Sequence, residues 1–392
     1  MVEKRFFQGF WGAVLALGLL ALAAQLLLAK VGELDLDSVI DRQRAAPPGS
    51  VLFSSAVNQQ AFAYKTKLYD RIAPDVVAVG SSRAMQVRSQ FFKGRFVNVG
   101  GASNNVAELE KVAHHIAAGH RPGLVVLFVD QWWLNRRYPE ASAPAQTPPF
   151  PRIVSADLLT QAAHALLRGN WIAQSFRSPN LGIYALVSNE GFSSDGSFYY
   201  LGTTTGMHAF QDARFSDTFA RIAGDRDRMQ KASEPDPVLV GRMCRTIGVF
   251  KRSAGHVVLV MPPFAGAVWN QMKKGGYEYM EKGAAELRRC SPDTPLFDFT
   301  SPQTIDGASD CEFVDGFHGG DVVYARMLRA IAGRDPAAAR YLDSAFVGSF
   351  IRDYAGAASG MSLYLDPRRK EVDFQKLGCH KPRPALHAME KP

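Results

Sequence analysis

Asp75-Val76-Val77-Ala78-Val79-Gly80-Ser81-Ser82-Arg83 is a β-branched run that stops at a glycine and then presents two serines. The run reads as a short buried strand and the glycine as the turn at its carboxyl end. Far downstream, Val314-Asp315-Gly316-Phe317-His318-Gly319-Gly320 carries an aspartate and a histidine three residues apart. A serine hydroxyl at a strand end needs a base, and the base needs an orienting group, before it becomes a nucleophile. The second stretch offers both. The two stretches together predict a Ser82–His318–Asp315 site.

Outward from Asp75, a second short strand, Phe96-Val97-Asn98-Val99, again ends in glycines, Gly100-Gly101. Ala107 to Ala118 reads as a helix, with Val106, Leu109, Val112 and Ile116 on one face. A fully apolar strand, Leu124 to Val129, ends at Asp130-Gln131-Trp132-Trp133. Short apolar runs alternating with helices predict a parallel sheet covered on both faces. The alternation breaks at the Pro/Ala/Ser-rich stretch Pro139 to Pro151 and resumes with a helix over Pro237 to Ser253. The strand His256 to Met261 follows, then a helix over roughly Ala267 to Arg289 and a strand at Leu296 to Phe299. Helices are expected at Asp321 to Ile331 and Ala337 to Tyr354, and one at Asn58 to Ile72 before the first strand. The chain divides accordingly. Residues 1–30 form an N-terminal anchor and 31–73 a juxtamembrane segment. Residues 74–138 and 236–356 are two parts of one α/β domain. Between them 139–235 is an insertion or cap over the sheet's carboxyl edge, and 357–392 is a basic tail.

The anchor is read from Phe10 to Ala29, apolar except for Gln25. About twenty apolar residues span a bilayer as a helix. Lys4 and Arg5 before the run, and Glu33, Asp35 and Asp37 after it, place the N-terminus in the cytoplasm. The expected location is the bacterial inner membrane, single-pass, with the body in the periplasm. The competing reading is a cleaved signal peptide with Ala21-Leu22-Ala23 as its small-residue site. Cys244, Cys290, Cys311 and Cys379 all lie in the exported part, an even count that permits two disulfides in three pairings. The formal charge of +8 suits an anionic membrane surface or an acidic polymer. Nucleic acid is set aside, because no Lys/Arg run is interleaved with aromatics.

Ligands of open α/β sheets bind beyond the carboxyl ends of the strands. Ser82, Gly100, the Asp130-Gln131 turn, Pro262 and the Asp315/His318 loop all follow predicted strands and can converge there. In that site Ser82 is the nucleophile, His318 the base and Asp315 its orienter. The N–H groups of Ser82 and Gly100 are the candidate oxyanion donors, each of a kind worth about 3–4 kcal/mol in a barrier. Arg83 is a candidate for an anionic substrate group, against a structural salt bridge. Trp132 and Trp133 are candidates for a sugar-stacking wall, against core packing. Tyr199 and Tyr200 could line a glycan groove or simply pack. Metal ligation by Asp315, His318 and Asp321 is the weaker reading, since Asp321 suits a helix N-cap. Gly80 to Ala84 also approximates the nucleophile elbow of α/β-hydrolases, but too few strands precede it. No cofactor is called for.

These blocks resemble the SGNH (GDSL-type) hydrolase superfamily. That family has a Gly-Asp-Ser turn after its first strand, a glycine after the second, Gly-x-Asn-Asp after the third and Asp-x-x-His near the C-terminus. Gly80-Ser81-Ser82 matches the first block with Ser81 in the aspartate position, and Asn98-Val99-Gly100-Gly101 resembles the second. Asp315-Gly316-Phe317-His318 matches the last. The third block departs: Gln131 stands where the oxyanion asparagine would be, with Asn135 four residues on. The resemblance covers about 75–135 and 256–332. It implies a flavodoxin-like three-layer α/β/α domain. With the N-terminal anchor, the pattern is similar to the membrane-anchored envelope-modifying members: the D-alanine-transfer proteins of the teichoic-acid pathway and the alginate-acetylation proteins. The implied activity is acyl transfer to, or ester hydrolysis on, a cell-envelope polysaccharide, beside a membrane-bound O-acyltransferase partner. The reading from another class is a non-catalytic scaffold that binds glycan or such a partner.

Overall fold

A computed structural model describes residues 2–57 and 61–382. Its centre is a five-stranded, wholly parallel sheet in the order β2-β1-β3-β6-β7. The strands are β1 (Val76–Val79), β2 (Phe96–Asn98), β3 (Leu124–Phe128), β6 (His256–Met261) and β7 (Leu296–Asp298); β4 (Gly191–Phe192) and β5 (Phe198–Tyr199) pair apart as a small hairpin. Counting the sheet strands alone, the order is 2-1-3-4-5, that of flavodoxin-type doubly wound sheets. Register follows from burial. Every residue of β1 and β3 is buried, so both faces need cover. Val77 is fully buried. An aspartate there would place an unpaired charge in the core.

Helices supply that cover. On the N-terminal side are α1 (Val2–Lys30), α2 (Leu36–Arg44), α3 (Ala61–Ile72) and α4 (Val106–Ala118); in the insertion are α5 (Ala156–Arg168), α6 (Trp171–Gln174), α7 (Ile183–Ser188), α8 (Leu201–Thr204) and α9 (Ser216–Ala223). Then come α10 (Pro237–Ser253), α11 (Gly266–Met272), α12 (Glu278–Cys290), α13 (Asp321–Ala332), α14 (Pro336–Ala339), α15 (Ser344–Tyr354) and α16 (Gly360–Leu365). α4, α10 and α12 pack as one layer, and α13, α14 and α15 as another. Asn105 and Asp236 cap α4 and α10, their side chains accepting the first free N–H groups.

Two expectations change, and a third is met in its described part. The single helix read over Ala267 to Arg289 is two helices, because Gly275 and Gly276 take φ of 133° and 93°, which suit glycine. The helix read over Ala337 to Tyr354 is also two; Asp343 starts the second by accepting the Phe346 N–H. The helix read over Asn58 to Ile72 is present over Ala61–Ile72, and residues 58–60 lie outside those described.

The insertion has two fates. Its hairpin is built into the body: Asp195 O accepts from Asn98 N–H, and the fully buried Lys65 donates to Asn98 O and Gly196 O. Its first helices instead gather around the end of α1. Leu28, Val31 and Leu34 bury against Leu158, Ala162, Trp171, Ile183 and Leu186. Glu33, a flanking charge in the sequence reading, is buried; its carboxylate accepts from Ser55 Oγ and from the N–H groups of Ala56 and Ile183. α1 is long and apolar enough to cross a membrane, a test that a signal sequence also passes.

The disulfides are Cys244–Cys290 and Cys311–Cys379. The first ties α10 to α12. The second ties the tail to the loop before Asp315. The tail, through residue 382, is therefore part of the fold, with Gln375 buried and donating to the carbonyls of Asp310 and Phe313. The last ten residues, 383–392, lie outside those described.

Candidate active site

β1 delivers Ser82. The chain turns at Gly80, whose φ is 155° and where a Cβ would lie 2.8 Å from Phe128 Cβ on β3. Only glycine lets the turn pass so close. Ser81 Oγ then accepts the Arg83 N–H at 3.1 Å and starts a single 3-10 turn over Ser82–Ala84. Ser82 leads that turn. Its own N–H meets no protein acceptor among the described residues, as expected at a helical start.

The Asp-x-x-His spacing has a physical cause in the second loop. Asp315 Oδ1 accepts the N–H groups of Phe317 (2.9 Å) and His318 (2.8 Å), folding the loop back on itself. Its Oδ2 then lies 2.6 Å from His318 Nδ1. One carboxylate both closes the turn and fixes the ring. A carboxylate only accepts, so Nδ1 donates, and in the neutral ring Nε2 is the acceptor. Nε2 lies 2.8 Å from Ser82 Oγ. Burial opposes the Asp315 charge. The His318 ring and the two N–H groups outweigh it and hold the carboxyl below its ordinary range.

Beneath this line is a second layer, and it corrects several expectations. Arg83 is fully buried and not open to a substrate. Its guanidinium donates to Phe317 O (2.8 Å), Pro262 O (2.8 Å), Pro263 O (2.6 Å) and Gln131 Oε1 (2.6 Å), and lies 3.5 Å from Asp130. It thus staples the serine turn, the ends of β3 and β6, and the histidine loop into one block. Tyr324 donates from its hydroxyl to Arg83 O from below. Burial pushes the Asp130 carboxyl up, against the pull of Arg83. Trp132 and Trp133 are core residues. Trp132 packs edge-on against Phe264 and Phe317, under the Arg83 guanidinium at 4.9 Å. Tyr199 is buried beneath Arg88, and Tyr200 packs beside Val314 and Phe374.

Two of the three expected oxyanion donors are also committed elsewhere. Gly100 N–H donates to Asn98 Oδ1 at 2.8 Å. Gln131 Nε2 donates to Pro262 O and Thr300 Oγ1, both at 2.8 Å, away from any solvent. Asn135 donates to Gln230 O instead. Ser82 N–H alone remains available.

Asp321 is the first residue of α13, after Gly320, rather than its N-cap. Its Oδ2 accepts the Met361 N–H at 3.0 Å and lies 3.3 Å from Arg88. That direction is not toward His318, and no group of three or more metal-ligating side chains is found among the described residues.

Sequence reading missed Asp212. Its carboxylate accepts from Gly316 N–H (3.0 Å), Thr218 Oγ1 (2.7 Å) and Thr218 N–H (2.9 Å), so the insertion grips the histidine loop from above. No local motif marks it. A cleft of about 730 Å³ opens there between α5, α7 and α9 and reaches Asp315 and Phe317; His164, Arg168, Glu190 and Arg221 supply its polar wall.

The chain matches no family model, and no curated protein matches it.

Proposed function

We propose that the protein is a membrane-anchored, periplasmic serine acyltransferase or esterase of the SGNH (GDSL-type) hydrolase superfamily, acting on a cell-envelope polysaccharide. One observation carries the reading: the run Ser82 Oγ, His318 Nε2, His318 Nδ1, Asp315 Oδ2, with gaps of 2.8 and 2.6 Å, assembled from residues 236 apart in sequence. Hydrogen bonds at these distances let a proton leave Ser82 as its oxygen attacks.

In the proposed cycle Ser82 Oγ adds to the acyl carbonyl carbon and its proton passes to His318 Nε2. The negative oxygen meets the Ser82 N–H. As the bond to the leaving oxygen breaks, Nε2 returns the proton to it. An acyl-serine remains. A sugar hydroxyl or water then attacks, giving its proton to Nε2, which restores Ser82 as the acyl group departs. Asp315 stays ionised and steadies the imidazolium throughout. Transfer and hydrolysis differ only in which hydroxyl enters. α1 holds the body at the inner membrane, beside a membrane-bound O-acyltransferase that supplies the acyl group. The two disulfides suit that oxidising side.

The test is covalent labelling of the purified full chain with a serine-reactive phosphonate, with esterase activity on a small acetyl ester measured alongside. Labelling at Ser82, lost in Ser82→Ala and strongly reduced in His318→Ala, supports the reading. A second reading has its own observation. The amide of Gly100 and the side chain of Gln131 are both committed, which suits a non-catalytic scaffold that holds a glycan or an acyltransferase. A folded wild-type chain that is never labelled would favour it.

A further inference from the structure

α5 has more apolar surface than the fold covers. Leu158 and Ala162 face inward, and Gln161, His164 and Arg168 line the cleft. The remaining arc carries Leu159, Leu166 and Leu167, the last 86% exposed. Ile153 (74% exposed), before the helix, and Ile172 and Phe176 (70%), after it, are exposed as well. A soluble surface rarely gathers so many large apolar side chains in one place.

The patch is joined to the membrane helix. Gln25, the one polar residue in the apolar run of α1, donates to Arg152 O and accepts the Val154 N–H. Lys30 lies 3.4 Å over the Phe176 ring. The apolar part of α1, Phe6–Lys30, has 25 residues. At about 1.5 Å per residue it is longer than the roughly 30 Å hydrocarbon core. Its last turns therefore reach headgroup depth, and there the insertion packs on it. Arg152 and Arg177 flank the stretch in sequence and Lys30 lies over Phe176, while Arg168 belongs to the cleft wall. An apolar face rimmed by basic residues is the pattern of a helix that lies in a bilayer interface.

We propose that residues 153–176 form a second membrane contact, seated in the outer face of the same bilayer, with anionic lipid headgroups around the basic rim. The inference rests on the anchor reading of α1. It goes beyond that reading by fixing the domain's orientation.

The experiment uses the full chain in bilayers of zwitterionic and anionic phospholipid. The native cysteines are all paired, so single added cysteines carry a nitroxide: Leu167→Cys and Leu159→Cys on the patch, Leu15→Cys in α1, and Val238→Cys on a distant exposed helix start. Collision with oxygen, which concentrates in lipid, is compared with collision with a water-soluble nickel chelate. The expected result is an oxygen-to-chelate ratio at Leu167 and Leu159 several-fold above that at Val238 and approaching that at Leu15. Patch ratios equal to Val238, with Leu15 still in lipid, overturn the second contact and leave the anchor standing. A water-like ratio at Leu15 as well overturns both.

Discussion

Ser82 and Arg83 are neighbours in sequence and belong to different layers. Ser82 meets His318, which Asp315 holds, and Asp315 borders the cleft. Arg83 points the other way, into a block with Asp130, Gln131 and Trp132 where nothing is exposed. The upper layer has groups that can exchange a proton. The lower layer has groups whose donors and acceptors are spent on holding strand ends together. The comparison teaches that a charged or aromatic residue beside a nucleophile is as readily its foundation as its substrate contact.

The largest break between the layers should come from Ser82→Ala and His318→Ala. Each is expected to lower ester turnover by about 10⁴-fold or more, with the fold retained. Asp315→Asn should follow, at about 10³–10⁴-fold, because an amide beside Nδ1 favours the wrong tautomer. In the lower layer the order reverses. Arg83→Met should cost about 3–5 kcal/mol of stability, measured by urea unfolding, because Asp130 is left buried without its cation. Gln131→Leu should cost about 1–3 kcal/mol through the unpaired partners it leaves. Turnover per folded molecule should hold within a few-fold. A fall of 10²-fold would return Gln131 to the oxyanion role.

The smallest effect is in pH. The folded Asp315 carboxyl lies below its ordinary range. Its contribution to stability is complete above the unfolded carboxylate value and drains away only as pH falls through the lowered folded one. Wild type should be the more stable near pH 7, and its lead over Asp315→Asn should shrink as pH falls below the unfolded carboxylate value of about 3.9. A gap that does not shrink across that descent would mean that the carboxylate charge does not hold the loop.

Much of the sheet was legible because continuous apolar runs ending at glycine have few other uses. Val76–Val79, before Gly80, is an example; His256–Met261 is stopped instead by Pro262-Pro263. The residues of the upper layer were legible too, since Asp315 and His318 are bound by a local turn whose spacing is written in the chain. The lower layer was not. The partners of Arg83 come from three separate loops, and sequence distance says nothing of which side of a turn a guanidinium takes. Gly100 was misread for a similar reason: Asn98, two residues earlier, has a side chain that competes for the same N–H. Asp212 lies 104 residues from the Gly316 amide it holds, beyond the reach of any local pattern.

The Cys311–Cys379 bond has a consequence for timing. Chains are made from the N-terminus onward, and Cys311 must wait for a partner 68 residues behind it. Until that partner has emerged and been oxidised, the loop bearing His318 lacks the tie that the finished fold gives it. Ser82 and its turn are already made. The tie between the tail and the loop before Asp315 is thus made late, and only where thiols can be oxidised.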